Sequence, residues 1–250
     1  MFFKNFKVWE TELAGRKLTL ETGKMAGLAN ASIMARYGET EVLCTVTASA
    51  KPREGVDFFP LSVDYEEKMY AVGKIPGSFL RREGRAGEKA ILTSRCIDRP
   101  IRPLFPKDLR NDCSVVATVM SVDPDCSPEI TAAIGVSAAI AISDIPWAGP
   151  ISSVNVGIVD GEIVINPTLE QRAKTDLTLT VASTADLVAM IEAGGNEIDD
   201  ETMFNAIMAG HEENKKIVKF IQGIVDEVGK PKFEYEKFTV RPKRADIECS

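Results

Sequence analysis

The chain has 250 residues, of which 44% are hydrophobic and 27% charged, with a formal net charge of −7. This composition excludes a disordered chain, and the negative charge excludes a general electrostatic attraction to nucleic acid or anionic lipid. No stretch has the length and apolar character of a signal peptide or a membrane span, so we expect a cytoplasmic protein with no membrane partner.

The cysteines point to the same compartment. There are five of them, widely spaced and without a C-x-x-C pair, and His211 is the only histidine. This pattern favours reduced thiols in a cytosolic protein over a zinc site or a disulfide framework.

The first third of the chain alternates with the period of two that is typical of β-strands. A turn at Gly38-Glu39 would join two of these strands as a hairpin, with a connection longer than the tightest turn types. The predicted strands cover residues 17–22, 31–37, 42–47 and 61–65.

Two helices and a strand follow. Helix formers predict a helix over 88–99, which we expect Pro100 to end because proline disfavours helical geometry at the residue before it. A β-branched run at 114–122 predicts a buried strand. Ser127 then serves as N-cap of a helix that is apolar on nearly every side through residue 142, so we expect this helix in the core.

The proline- and glycine-rich stretch 146–150 marks a boundary between two halves. Beyond it, Asp160-Gly161 predicts a hairpin. Three elements follow: a strand at 177–181, a segment at 187–191 that fits strand or helix, and a helix over 201–228. We therefore divide the chain into residues 1–147, 148–232 and a charged tail at 233–250, which we interpret as a linker or a truncated element.

Two basic clusters interrupt this acidic chain. Residues 74–85 carry four basic residues against one acid, and residues 95–110 carry five against two. Guanidinium groups bind phosphates and an aromatic ring can stack on a base, so the clusters predict an RNA-facing surface. Its main candidates are Phe79, Arg81, Arg82 and Arg85, with weaker candidates at Lys74, Arg95, Arg99 and Arg102. The alternative is that these arginines pair with neighbouring acids, above all around Asp98.

Other polar groups give no complete catalytic set. Asp64, Glu66 and Glu67, or the pair Glu170 and Asp176, have a spacing compatible with a metal site, although charged strand ends explain them as well. We interpret His211 as a solvated helix residue. Because the chain has no Gly-rich phosphate loop and no hydrolase signature, we assign no catalytic and no metal-binding residue.

Four runs in the chain resemble the amino-terminal region of bacterial polynucleotide phosphorylases. They are DFFPL at 57–61, YAVGKIPGSFLRREGR at 70–85, IDRPIRPLFP at 97–106 and INPT at 165–168. The resemblance implies an α+β, ribonuclease PH-like fold of two βαβ-type layers with mixed sheets and buried helices. It also implies that residues 233–250 begin a helical domain.

The resemblance further implies a function. Members of this family form ring-shaped trimers and degrade single-stranded RNA from its 3′ end, with inorganic phosphate as the nucleophile and nucleoside diphosphates as products. The implied partners are RNA, phosphate, two further copies of the chain and proteins of an RNA-degradation complex. Mg²⁺ is expected in the complete enzyme and not on this chain.

Departures from the family pattern indicate a non-catalytic half. The active domain of the family has a serine-rich turn that binds phosphate, and the matching residues here, 127–129, read Ser-Pro-Glu. The active domain also has two aspartates and a lysine, and the matching positions here are Glu170, Asp176 and Thr178. The RNA-gripping Phe-Phe-Arg-Arg reads Phe-Leu-Arg-Arg at 79–82. Two alternatives stay open: a stand-alone phosphorolytic enzyme with Glu170 and Asp176 as metal ligands, and an assembly module whose arginines make subunit contacts.

Overall fold

A computed structural model describes residues 5–77 and 79–238. Its first layer is a six-stranded sheet in the order β1-β2-β3-β4-β6-β5, in which β5 and β6 are parallel and all other neighbours antiparallel. The strands are β1 (Lys7–Leu13), β2 (Arg16–Thr22), β3 (Ala31–Tyr37), β4 (Thr40–Ala48), β5 (Leu61–Glu67) and β6 (Cys113–Ser121). Helix α1 (Glu88–Ile101) connects the two parallel strands.

The second layer is a four-stranded antiparallel sheet in the order β10-β9-β7-β8. Its strands are β7 (Ser152–Val159), β8 (Glu162–Ile165), β9 (Leu177–Ser183) and β10 (Val188–Gly195). The predicted hairpin is confirmed, since Asp160 and Gly161 both have positive φ, 54° and 82°, as a tight hairpin turn requires. The segment at 187–191, open between strand and helix in the sequence, is a strand.

Three further helices complete the fold: α2 (Pro128–Ile142), α3 (Leu169–Arg172) and α4 (Asp200–Val228). As predicted, α2 is buried along most of its length, because it packs against β3 and β4 on one side and β7 and α4 on the other. Helix α4 lies on the second sheet. The buried apolar side chains of both layers therefore form one continuous core around α2.

Several sequence expectations were wrong in detail. The turn at Gly38-Glu39 has only two residues, the tightest type. Pro100 lies inside α1, because a proline in the last turn removes one helix hydrogen bond while its ring packs in the core with Ile97 and Ile101. His211 is 5% exposed, since it falls on the stripe of α4 that faces the second sheet.

Tyr37 joins the two halves of the chain. Its buried hydroxyl donates to the carbonyl of Leu13 at 3.0 Å and accepts from Nδ2 of Asn166, beyond the predicted boundary, at 3.4 Å. The Arg16 guanidinium lies 5.8 Å from the ring centroid. Burial raises the pKa of Tyr37, which therefore stays a neutral hydroxyl at this junction.

The tail is described only as far as residue 238. Over 229–238 it has no regular secondary structure, yet the backbone N–H of Phe233 donates to Asp144 O at 2.8 Å and the Tyr235 hydroxyl donates to Asp108 at 2.8 Å. Within the described ranges, four cysteines are free thiols and no helix is long and apolar enough to cross a membrane.

Candidate nucleic-acid interface

The main predicted RNA-binding residues lie on one exposed loop, whereas the weaker candidates Arg95, Arg99 and Arg102 lie on α1 or at its end. We call residues 74–87 the arginine loop; it runs from a short 3₁₀ helix (Met69–Val72) to the start of α1. Gly73, with φ 68°, ends the 3₁₀ helix in a left-handed conformation that suits glycine. Phe79 is 99% exposed and Leu80 68% exposed, so two apolar side chains project into solvent beside the arginines. Such exposure is typical of a binding surface.

The loop arginines have no acidic partner within the described part of the chain. Arg81, Arg82, Arg85 and Lys74 are all exposed, and no ion pair between described residues includes any of them. Arg81 also has a positive φ of 52°, an uncommon conformation for a residue with a side chain. Their donors are therefore available to an anionic ligand.

A cleft of about 410 Å³ brings the loop next to α1. Arg85 from the loop and Arg95 from α1 both line it, so the structure brings together two candidates that lie ten residues apart in the sequence. Its wall also contains Asp64, Glu66, Glu67, Lys68, Glu83 and Ser94. Lys68, Glu83 and Ser94 were not singled out in the sequence, because only the fold places β5 beside the returning loop.

Arg102 has a structural role. Its guanidinium donates to both carboxylate oxygens of Asp98, at 3.0 and 2.8 Å, and to the carbonyl of Leu61 at 3.1 Å. This is the pairing that the sequence left as the alternative around Asp98. The guanidinium therefore joins the end of α1 to the start of β5, and its role in RNA binding stays a prediction.

Arg99 is less constrained. Its nearest acidic partner is Glu192 on β10, at 3.9 Å. The same carboxylate accepts from Sγ of Cys96 at 3.1 Å. Burial and then Glu192 raise the pKa of Cys96 to about 11, so this thiol stays protonated at neutral pH.

The acidic candidates for a metal site are either paired or exposed. Glu66 is paired with Lys68 at 2.9 Å, and both Glu170 in α3 and Asp176 before β9 are exposed. Across residues 5–77 and 79–238, no three His, Cys, Asp or Glu side chains lie close enough together to hold a metal ion. We therefore assign no step to a metal on these residues.

The N-terminus of α2 is occupied by its own side chains. The Ser127 hydroxyl accepts from the backbone N–H of Ile130 at 3.4 Å and donates to Glu129 at 2.6 Å, while Lys89 lies 2.7 Å from the same carboxylate. Pro128 at the first helical position has no N–H to offer. A negative carboxylate at the place where an anion would bind disfavours phosphate.

Comparison with known proteins decides the family. Residues 14–146 match the model of the 3′ exoribonuclease family, domain 1 (RNase PH), and residues 149–213 match domain 2. The chain belongs to the RNase PH family of 3′ exoribonucleases. The predicted α+β, RNase PH-like fold is thereby confirmed. In the described chain, β5 and β6 form the only parallel strand pair of this fold.

Curated relatives of this RNase PH chain carry the name polyribonucleotide nucleotidyltransferase. The protein of Ruminiclostridium cellulolyticum is 64% identical over 94% of this chain, and that of Caldicellulosiruptor saccharolyticus is 61% identical over 94%. The chain spans about one third of the length of these relatives, 33% in both cases.

A solved structure shares the fold at low identity. The crystal structure of rice (Oryza sativa) Rrp46 matches with a TM-score of 0.67 and 15% identity, covering 90% of this chain and 95% of that one. At this identity the match shows the RNase PH architecture alone.

The α2 N-terminus of this RNase PH chain gives a pH-dependent prediction. Burial would raise the pKa of Glu129, but hydrogen bonds from Lys89 and Ser127 outweigh it and hold the pKa below its ordinary value. The carboxylate thus stabilises the fold above the ordinary pKa of glutamate, and this contribution is lost as the pH falls through the folded-state pKa. We expect Glu129→Gln to lower the free energy of unfolding by about 1 kcal/mol at pH 7, and by less below about pH 4.

Urea unfolding at both pH values measures this difference. Glu162→Gln, at an exposed residue of the β7–β8 hairpin, is the control and should change the stability little. An equal loss for Glu129→Gln at both pH values would contradict the electrostatic explanation.

Proposed function

We propose that this chain is the amino-terminal RNase PH-like half of a polynucleotide phosphorylase, and that it binds single-stranded RNA and supports ring assembly without catalysing the reaction. In the complete enzyme, phosphate would attack the phosphorus of the last phosphodiester at the 3′ end of RNA. The bond to the 3′ oxygen of the preceding nucleotide would break, releasing the terminal nucleotide as a nucleoside diphosphate and leaving a shortened RNA with a free 3′-hydroxyl, with Mg²⁺ bound elsewhere. We further propose the division 1–147, 148–232 and 233–250, a homotrimer, a cytoplasmic location and contacts with RNA-degradation proteins. The identity of 64% to a polyribonucleotide nucleotidyltransferase supports this assignment.

The arginine loop is the observation that carries the RNA-binding role. It presents Arg81, Arg82 and Arg85 without acidic partners in the described chain, next to a phenylalanine ring that is 99% exposed. Arginine contacts to phosphates and stacking on an aromatic ring together form the sequence-tolerant grip on single strands. The net charge of −7 disfavours RNA binding over the rest of the surface. The loop, with Arg95 across the cleft, would therefore bind a single RNA strand at one place.

Two features support catalysis outside this chain. The α2 N-terminus, where the active domain of the family binds phosphate, carries Pro128 and the carboxylate of Glu129. Glu170 and Asp176 belong to no group of three potential metal ligands among the described residues. The donor set and the ion that phosphorolysis requires are therefore expected in the second RNase PH-like half.

The 250-residue chain itself tests this proposal. We expect it to bind a fluorescein-labelled oligoadenylate, and three phosphate contacts give a slope of about −2 for log Kobs against log salt concentration. With RNA, phosphate and Mg²⁺ it should release no nucleoside diphosphate, as followed by thin-layer chromatography. Diphosphate release would place catalysis in this chain, and an RNA affinity that does not depend on salt would contradict the arginine contacts.

A further inference from the structure

Glu83 is the only acid in the arginine loop, and it stands between Arg82 and Arg85 in the sequence. Its neighbours would make a local ion pair the expected arrangement. Instead, Oε1 of Glu83 accepts a hydrogen bond from the backbone N–H of Met69 at 2.9 Å, fourteen residues back along the chain. The carboxylate therefore serves the backbone at the base of the loop and leaves the guanidinium groups unpaired within the described residues.

Met69 is the residue on which the loop closes. It begins the 3₁₀ helix, whose N-cap residue Lys68 makes no side-chain cap, so the Met69 N–H has no partner from its own helix. Glu83 supplies that missing partner. The carbonyl of the same Met69 accepts from the backbone N–H of Lys74 at 3.0 Å. Hydrogen bonds from the first and the last part of the loop thus meet at Met69, and we call the described residues between them, 75–77 and 79–82, the arch.

We infer that Glu83 is a positioning residue for RNA binding: its hydrogen bond to Met69 closes the arch that presents Arg81 and Arg82. This inference rests on the proposed RNA-binding function of the loop. Fixing the arch before RNA arrives reduces the ordering that binding must otherwise supply, which increases affinity. Within the described residues the carboxylate also makes no ion pair with the loop arginines, where it would compete with RNA phosphates.

The charge of Glu83 and its positioning role predict opposite changes in RNA affinity when Glu83 is replaced. As a negative charge beside bound RNA, Glu83 repels phosphates, so simple Coulomb reasoning expects its removal to tighten binding. As a tether, it orders the arch, so its removal weakens binding. Glutamine separates the two effects, because its amide oxygen still accepts from the Met69 N–H while the charge is gone.

The experiment compares Glu83→Ala with Glu83→Gln in the complete 250-residue chain. Affinity for the labelled oligoadenylate is measured by fluorescence anisotropy at low salt, and hydrogen exchange at the Met69 amide is measured without RNA. We expect Glu83→Ala to bind RNA about fivefold more weakly and to exchange faster at Met69, whereas Glu83→Gln binds at least as tightly as the parent chain and keeps slow exchange. Glu88→Gln, at the exposed first residue of α1, is the charge-matched control and should tighten binding slightly.

Two results would overturn the inference: tighter RNA binding by Glu83→Ala, as for the control, or unchanged Met69 exchange in that variant. Failure of the proposed function has a different signature. If the loop does not bind RNA, Arg81→Ala and Arg82→Ala leave the RNA affinity unchanged. Hydrogen exchange at the Met69 amide, measured without RNA, still tests the hydrogen bond between Glu83 and Met69.

Discussion

The double variant Arg81→Ala/Arg82→Ala is expected to bind single-stranded RNA about 10- to 100-fold more weakly at low salt, because it loses two charge-assisted contacts. Both side chains are exposed and unpaired within the described chain, so no internal ion pair is broken and the fold should be unaffected. The slope of log Kobs against log salt concentration should decrease in magnitude by about 1.4, since two phosphate contacts to a single strand disappear. In the complete enzyme, the same change should slow processive degradation.

A charge-matched control separates this contact from a general effect of charge. Lys216→Ala/Lys219→Ala also removes two positive charges, from exposed positions on α4, and should leave RNA affinity nearly unchanged. Light scattering on the same samples tests the alternative that the chain is an assembly module whose loop arginines make subunit contacts. A loop variant that loses its oligomeric state but keeps its RNA affinity would show that the arginines make subunit contacts. A loop variant with the RNA affinity and the salt dependence of the parent chain would contradict the RNA-binding proposal.

Gly135→Ala is expected to lower the free energy of unfolding by about 2 kcal/mol, because the centre of α2 has no room for a methyl group. A Cβ atom at this position would lie 2.6 Å from Sγ of Cys44 and 2.9 Å from Cβ of Ala35. Both neighbours belong to central strands of the first sheet and are fully buried, so neither can move without disturbing the sheet. Urea unfolding measures the loss.

Gly223→Ala is the matched control, also a glycine inside a helix. A Cβ atom there meets nothing within 4 Å, so alanine should raise stability by about 0.5–1 kcal/mol through its higher helix propensity. The double variant Cys44→Ala/Gly135→Ala should recover part of the loss, because Sγ is the nearer of the two clashing atoms. Stability for Gly135→Ala equal to that of the parent chain would contradict the close packing of α2 on the sheet.

The candidate site was predictable where local chemistry sufficed. The glycine-flanked run of arginines around Phe79 predicted an exposed basic loop, and the structure places these residues there. The sequence offered the pairing of Arg102 with Asp98, but it did not predict the hydrogen bonds that Arg102 and Glu83 make with distant backbone groups. These groups are the Leu61 carbonyl for Arg102 and the Met69 N–H for Glu83.

Local sequence was sufficient to predict the elements that depend on periodicity and turn chemistry. It predicted the buried α2 with its Ser127 cap, the hairpin at Asp160-Gly161 and the basic character of 74–85, because each follows from residues within a few positions of one another. Tertiary structure alone decided the burial of His211, the continuation of α1 through Pro100, and the cleft that brings Arg85 to Arg95. In these cases the deciding contacts join segments far apart in the chain, and packing of the core outweighs local preference.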